Sequence, residues 1–285
     1  MIALRGCAVA AIALLVGTAA VAQAKPPART ALKVCQDPNN LPFSDEGGHG
    51  IENRIAEVFG KALNMPVQYY SFPNRMNFIR NTLRFKLPGE DYRCDIVMAV
   101  PLGFDQASVT RPYYRSTYAL VFADGKGLDK VMSAEDFLAL GPEKLSKLRI
   151  GLYDKSPGAD WLLKHQLLES AVPYPIMNAN PEQYPGEIIQ KDLAGGKIDV
   201  AIVWGPIAGY FAKQVKSPVL HVVPLHSEPG VRFDYEMAMG VRYGEPEWKK
   251  QVEALIDAKR PEIIAILKEY NVPLVDDSYA AQQPK

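Results

Sequence analysis

Side chains able to do covalent or metal chemistry are few in this 285-residue chain. His49, His165, His221 and His226 have no metal-ligand spacing, and neither a G-x-S-x-G elbow nor an H-E-x-x-H pair occurs. No D-x-D-x-D-G loop or dense acid cluster offers oxygens to a hard cation. Gly48-His49-Gly50 lacks the third glycine of a dinucleotide fingerprint. Catalysis finds no motif here, no metal or cofactor is called for, and binding is the expected activity.

Cysteine usage points to a compartment. Arg5, the apolar run from Cys7 to Val21 and Ala22-Gln23-Ala24 read as a secretory signal peptide over residues 1–24. Its removal leaves Cys35 and Cys94, which suggest one disulfide in an oxidising compartment. Closing so long a loop stabilises by about 4 kcal/mol on the chain-entropy account. A thiol nucleophile, the competing reading, would need a nearby histidine. The predicted location is the periplasm, with no membrane span after cleavage, since no later run approaches the ~20 apolar residues of a spanning helix.

Charge excludes other classes. With 32 basic and 32 acidic residues and no basic block, the chain lacks the electrostatic footprint of a nucleic-acid binder. Apolar residues make up 48% of the chain, enough for one large core or two modest ones.

The elements that would position any site alternate between strand and helix. A strand at 31–36 leads through a Pro- and Asn-rich loop to a helix with Ile51, Ile55, Phe59 and Leu63 on one face. A strand at 66–72, a helix at 74–84 and strands at 94–100 and 117–123 complete a β-α-β-α-β order. Ser133 and Asp136 form a helix start of the capping-box kind. The alternation then repeats: strand 148–153, helix 157–170, strand 173–178, helix 185–194 and strand 198–204. Later strands at 219–223 and 235–241 precede the closing helices. The pattern predicts two α/β lobes joined by a hinge, lobe one at 31–121 plus 225–272 and lobe two at 122–224. The chain would cross near 121–124 and again near 223–225, and 273–285 would be a flexible tail. Ligands in such sheets sit at the carboxyl ends of strands, so the site is expected in the interlobe cleft.

The residues offered to that cleft are mainly aromatic: Phe43, Phe104, Tyr113, Trp161, Trp204 and Tyr235, with Asn39, Asn40 and Ser156 as polar contributors. Each also has a structural reading. The aromatics can pack the lobes, Asp-Pro-Asn-Asn suits a turn, and Ser156-Pro157-Gly158 can cap a helix as well as offer N–H groups to an anion.

Cys94-Asp95-Ile96-Val97-Met98-Ala99-Val100 through Arg111-Pro112-Tyr113-Tyr114, and Gly195-Gly196-Lys197-Ile198-Asp199-Val200-Ala201-Ile202-Val203, resemble passages of the type II periplasmic solute-binding proteins. Three further segments resemble their quinoprotein-dehydrogenase-associated branch, the MoxJ/XoxJ type. These are Cys35-Gln36-Asp37-Pro38-Asn39-Asn40-Leu41-Pro42-Phe43-Ser44, Arg80-Asn81-Thr82-Leu83 and Val203-Trp204-Gly205-Pro206-Ile207-Ala208-Gly209-Tyr210-Phe211-Ala212. One departure is a longer stretch at 86–93, expected as a surface loop. The resemblance implies a periplasmic accessory binding protein that engages a PQQ-dependent methanol or alcohol dehydrogenase and assists its maturation or activation. Its alternative is the solute receptor of an ABC-type transporter. Amino-acid receptors of the superfamily grip the ligand carboxylate with an Arg after the first-lobe strand and its ammonium with an Asp after the second-lobe strand. Here the first region reads Leu102-Gly103-Phe104-Asp105-Gln106-Ala107, without Arg, and Trp204 takes the Asp position. A small aromatic or apolar ligand, or a partner's side chains, therefore fits the resemblance better than a free amino acid.

Overall fold

A computed structural model describes residues 29–74, 77–176, 180 and 182–276. The signal peptide and the end of the tail lie outside the described residues. The order is β1 (Leu32–Gln36), β2 (Asn39–Asn40), β3 (Ser44–Asp45), α1 (Ile51–Leu63), β4 (Val67–Ser71), α2 (Phe78–Asn81), β5 (Ile96–Pro101), β6 (Ser108–Val109) and β7 (Tyr114–Ala123). It continues with α3 (Ala134–Leu138), α4 (Pro142–Leu145), β8 (Ile150–Tyr153), α5 (Pro157–Lys164), β9 (Ala171–Tyr174), β10 (Val200–Trp204) and α6 (Gly205–Gln214). The last elements are β11 (Leu220–Pro224), β12 (Asp234–Val241), α7 (Pro246–Ala258) and α8 (Arg260–Glu269).

The α1 stripe forms as its periodicity predicts. Ile51, Ile55 and Phe59 are buried in the first core against β1, β5, α7 and α8, each side chain stabilising by about 1.5–3 kcal/mol. Asn53 holds the helix start, its Oδ1 accepting from the backbone N–H of Gly50 at 3.0 Å. Gly50 is required there, because a Cβ would lie 2.1 Å from the Phe43 carbonyl oxygen. The loop after β1 is thereby folded tightly onto the α1 N-terminus.

The two halves repeat one arrangement. β4 and β5 flank β1 in parallel, with β12 antiparallel beside β5. β9 and β10 flank β8 in parallel, with β7 antiparallel beside β10. This is the mixed two-lobe α/β architecture that the element order predicts, and β7 unites the halves. Its N-terminal half pairs with β12 and its C-terminal half with β10 and β11.

Several local expectations need correction. The crossing points near 121–124 and 223–225 lie inside the second core, where Val121, Phe122, Val223 and Leu225 are buried. The chain instead passes between cores along Ser116 and Thr117, and returns between Phe233 and Met237. Pro273 to Val275, expected as the start of the tail, are tied down: Ser116 Oγ donates to the Pro273 carbonyl at 2.7 Å and Val275 N–H to the Arg115 carbonyl at 3.0 Å. The helix expected at 74–84 shortens to α2, because Asn74 N–H donates to Asp37 Oδ2 and Asn77 takes a left-handed φ of 66°. The helix expected at 157–170 stops at His165, with Gln166 at φ 59°. The one expected at 185–194 is a π-helical stretch, Ile188–Leu193.

Cys35 and Cys94 form the anticipated disulfide. Beside it Arg242 is buried and donates to Asp95 Oδ1 at 2.6 Å and Glu245 Oε1 at 2.7 Å, with its guanidinium over Tyr92. The stretch at 86–93 is the largely exposed loop expected of it, anchored by that contact.

Candidate functional site

The carboxyl ends of the parallel strands converge on two adjoining cavities. Cavity A, about 480 Å³, opens where β1 and β5 end. Cavity B, about 590 Å³, lies between that region and the ends of β8 and β10. Asp37, Asn40, Asn74 and Trp204 line both.

Trp204 owes its place to local chain geometry. It ends β10 and directly precedes α6, which seats close to the hinge strand. A Cβ on Gly205 would sit 2.2 Å from the Thr117 carbonyl oxygen, and one on Gly209 would sit 1.8 Å from that of Asn271. Only glycine permits so close an approach. The indole then packs against both the first core and the α6 cluster of the second. It meets Tyr118 edge-on at 5.4 Å and Tyr235 at 5.9 Å between ring centres, a geometry favoured by the ring quadrupoles.

Asn39, Ser156, Trp204 and Tyr235 line cavity B, and Asn40 lines both. Phe43 and Phe104 line cavity A, and Phe43 also packs against the second-lobe cluster. Two expected residues do not reach either cavity. Tyr113 is 1% exposed and belongs to the first core, while Trp161 is 1% exposed among Phe137, His165 and Phe233. Tyr113, just before β7, and Trp161, on α5, both turn into the cores, where aromatic bulk is most stabilising.

The sequence reading missed several lining residues. Asp37 accepts backbone N–H bonds from Asn39 at 2.9 Å and Asn74 at 2.5 Å. It lay inside a family-like segment but passed as turn chemistry. Tyr118 and Tyr153 occupy alternating strand positions that also suit packing, and burial pushes each phenol up to about 12. Glu52 carried no signal, since an acid in the first turn of a helix is ordinary. Here it is 8% exposed, lines cavity A and is pushed up to about 8, first by burial and then by Asp37. Ser156 Oγ is buried without a hydrogen-bond partner among the described residues, at the rim of cavity B and the N-terminus of α5.

Asp199 of the Gly195-Gly196-Lys197-Ile198-Asp199 segment serves a different purpose. It accepts from Arg149 at 2.9 and 3.0 Å and from Lys126 at 2.5 Å. Those bonds, Arg149's first, hold its carboxyl well below the usual range. It anchors the start of β10, away from both cavities. Among the described lining residues neither cavity has an arginine, and Lys155 in cavity B is the one cation.

No family model matches the chain. Protein MoxJ of Paracoccus denitrificans is 27% identical over 278 residues, covering 92% of this chain and 96% of that protein. The crystal structure of the periplasmic binding protein XoxJ from Methylobacterium extorquens AM1 is 33% identical, covers 86% of this chain and all of that one, and superposes with a TM-score of 0.68. The chain belongs to the MoxJ/XoxJ family of periplasmic binding proteins. MxaJ from Methlophaga aminisulfidivorans MPT, at 22% identity and a TM-score of 0.70, shares the fold. In this MoxJ/XoxJ-family chain the described residues contain no helix long and apolar enough to cross a membrane. They also contain no cluster of three or more potential metal ligands.

Proposed function

We propose that this MoxJ/XoxJ-family chain is a periplasmic accessory binding protein. In this reading it engages a PQQ-dependent methanol or alcohol dehydrogenase through the aromatic interlobe cleft and assists its maturation or activation, without catalysing a reaction itself. The carrying observation is Trp204, which packs on both lobes and lines both cavities where an amino-acid receptor would hold its ammonium anchor. An aromatic wall, with no arginine among its described residues, suits a partner's apolar segment better than an α-amino acid.

The hinge supports a cycle of capture and release. Arg115 Nε donates to the buried Asp234 at 2.8 Å where β7 and β12 pair, and Thr117 Oγ1 donates to the Leu225 carbonyl at 2.6 Å. A partner that binds one lobe arrangement more tightly than the other shifts the equilibrium between them by that difference in affinity.

The test mixes the purified protein with the dehydrogenase of its own organism, in apo and cofactor-loaded forms, and follows gel-filtration mobility and dye-linked activity. A complex or a dependent rise in activity is expected. Trp204→Ala should weaken association at least tenfold, about 1.4 kcal/mol, with the fold retained. No association with either form overturns the reading. A ligand-dependent rise in melting temperature in a solute screen would then favour the transport-receptor alternative.

A further inference from the structure

Glu52 is the one buried acid among the described residues whose carboxyl receives no hydrogen bond. It faces cavity A rather than packed protein. A carboxyl drawn this far from bulk water is costly to ionise, and a bound donor or cation beside it lowers that cost. Asp37 shares the wall, and each of its oxygens already accepts one backbone N–H, which fixes the side chain and leaves lone pairs free. Phe43, Phe78, Phe104 and Trp204 line the same cavity. Aromatic faces attract cations electrostatically, and two carboxyls offer oxygen acceptors to a donor. No Lys or Arg is among the described residues lining cavity A. A volume of about 480 Å³ suits a small organic molecule.

We propose that cavity A binds an organic ammonium ion: a primary amine on a short apolar or aromatic body, lacking an α-carboxylate. The ammonium donates to Glu52 and Asp37, and the body lies against the rings. The site goes beyond the partner reading and does not depend on it, because it is assayed on this chain alone.

Binding carries a proton signature. Glu52 sits on α1 and is faced by Asp37 after β1, Tyr69 on β4, Tyr113 just before β7 and Tyr114 at its start. The three phenols are displaced upward, chiefly by burial, and stay protonated through neutral pH. With the Glu52 carboxyl at about 8 in the free protein, an ammonium expels its proton on entering. Affinity therefore rises by about tenfold per pH unit until about pH 8.

The experiment is calorimetric titration of the purified protein with benzylammonium and butylammonium, and with benzyl alcohol and butanol as uncharged counterparts. It is run at about pH 6.5 and pH 8 in two buffers of different ionisation enthalpy. Both amines should bind at least tenfold more tightly than their alcohols, and about one proton should be released per amine at the lower pH. Glu52→Gln should weaken amine binding at least tenfold and abolish proton release, with a melting temperature no lower than that of the parent. Alcohols binding as tightly as amines, unchanged amine affinity in Glu52→Gln, or no amine binding up to about 10 mM would each overturn the proposal. The proton count on the parent protein keeps the test decisive if the variant does not fold.

Discussion

One buried acid in the first lobe is treated unlike the buried acid that anchors the second. In the second, Asp199 is met by Arg149 and Lys126 and lies well below the usual carboxylate range. In the first, Asp95 is met by Arg242, but Glu52 has no donor among the described residues and sits at a cavity wall, pushed up to about 8. A paired buried acid anchors secondary structure, as Asp199 does at the edge of β10. An unpaired one is a standing cost of folding, and it persists where something other than stability uses it. The contrast separates structural charge from site charge more sharply than sequence motifs do: Asp199 lies in a family-like segment and holds the fold, whereas Glu52 lies outside those segments and faces the cavity.

The largest expected effect concerns the staple that only the first lobe carries. Replacing Cys35 and Cys94 together by Ala opens a loop of 59-residue separation and should cost about 4 kcal/mol in urea denaturation. Tryptophan fluorescence from Trp248 in the first core and Trp161 in the second, isolated by single-Trp variants, should show the first lobe losing more. Equal losses would mean that the lobes unfold as one unit.

Glu52→Gln should stabilise the protein by a few kcal/mol near pH 8 and by little near pH 4.5. The sign follows from the raised folded-state value. The stability linked to Glu52 is complete below its unfolded value of about 4.3 and is lost as pH rises toward about 8. Thermal melts of both proteins across that range would check it, and a destabilised variant would remove the contrast between the lobes.

Asp199→Asn should have the smaller, opposite effect, a loss of about 1–2 kcal/mol at neutral pH. Its carboxyl is lowered in the folded protein, so its contribution is present above the unfolded value of about 3.9 and disappears as pH falls below it. Parent and variant should therefore converge in acid denaturation, and a gap that persists there would show that Asp199 acts through shape rather than charge.

Much of the scaffold was legible in the sequence because it rests on local rules. The Ile51, Ile55, Phe59 stripe, the Ser133 cap, whose Oγ accepts from Asp136 N–H at 3.1 Å, and the prolines opening α5 and α6 act within a turn or two of chain. The cleft was half legible. Trp204, Phe43, Phe104, Tyr235, Asn39, Asn40 and Ser156 reach the cavities, but Tyr113 and Trp161 turn into the cores. A strand-end or helical aromatic satisfies either role, and its direction depends on the neighbouring layer.

By itself, the amino-acid sequence determined the alternation of strands and helices, the two-lobe class and the cysteine pair, all properties of residue type and short-range spacing. Only the tertiary structure decided where the chain crosses between lobes, that Pro273 to Val275 are fastened to the hinge strand, and that Glu52 shares a cavity wall with Asp37 and four aromatic residues. Those outcomes depend on burial and on contacts between residues far apart in the chain. The cost of a buried charge is set by what surrounds it in space, which sequence spacing does not encode.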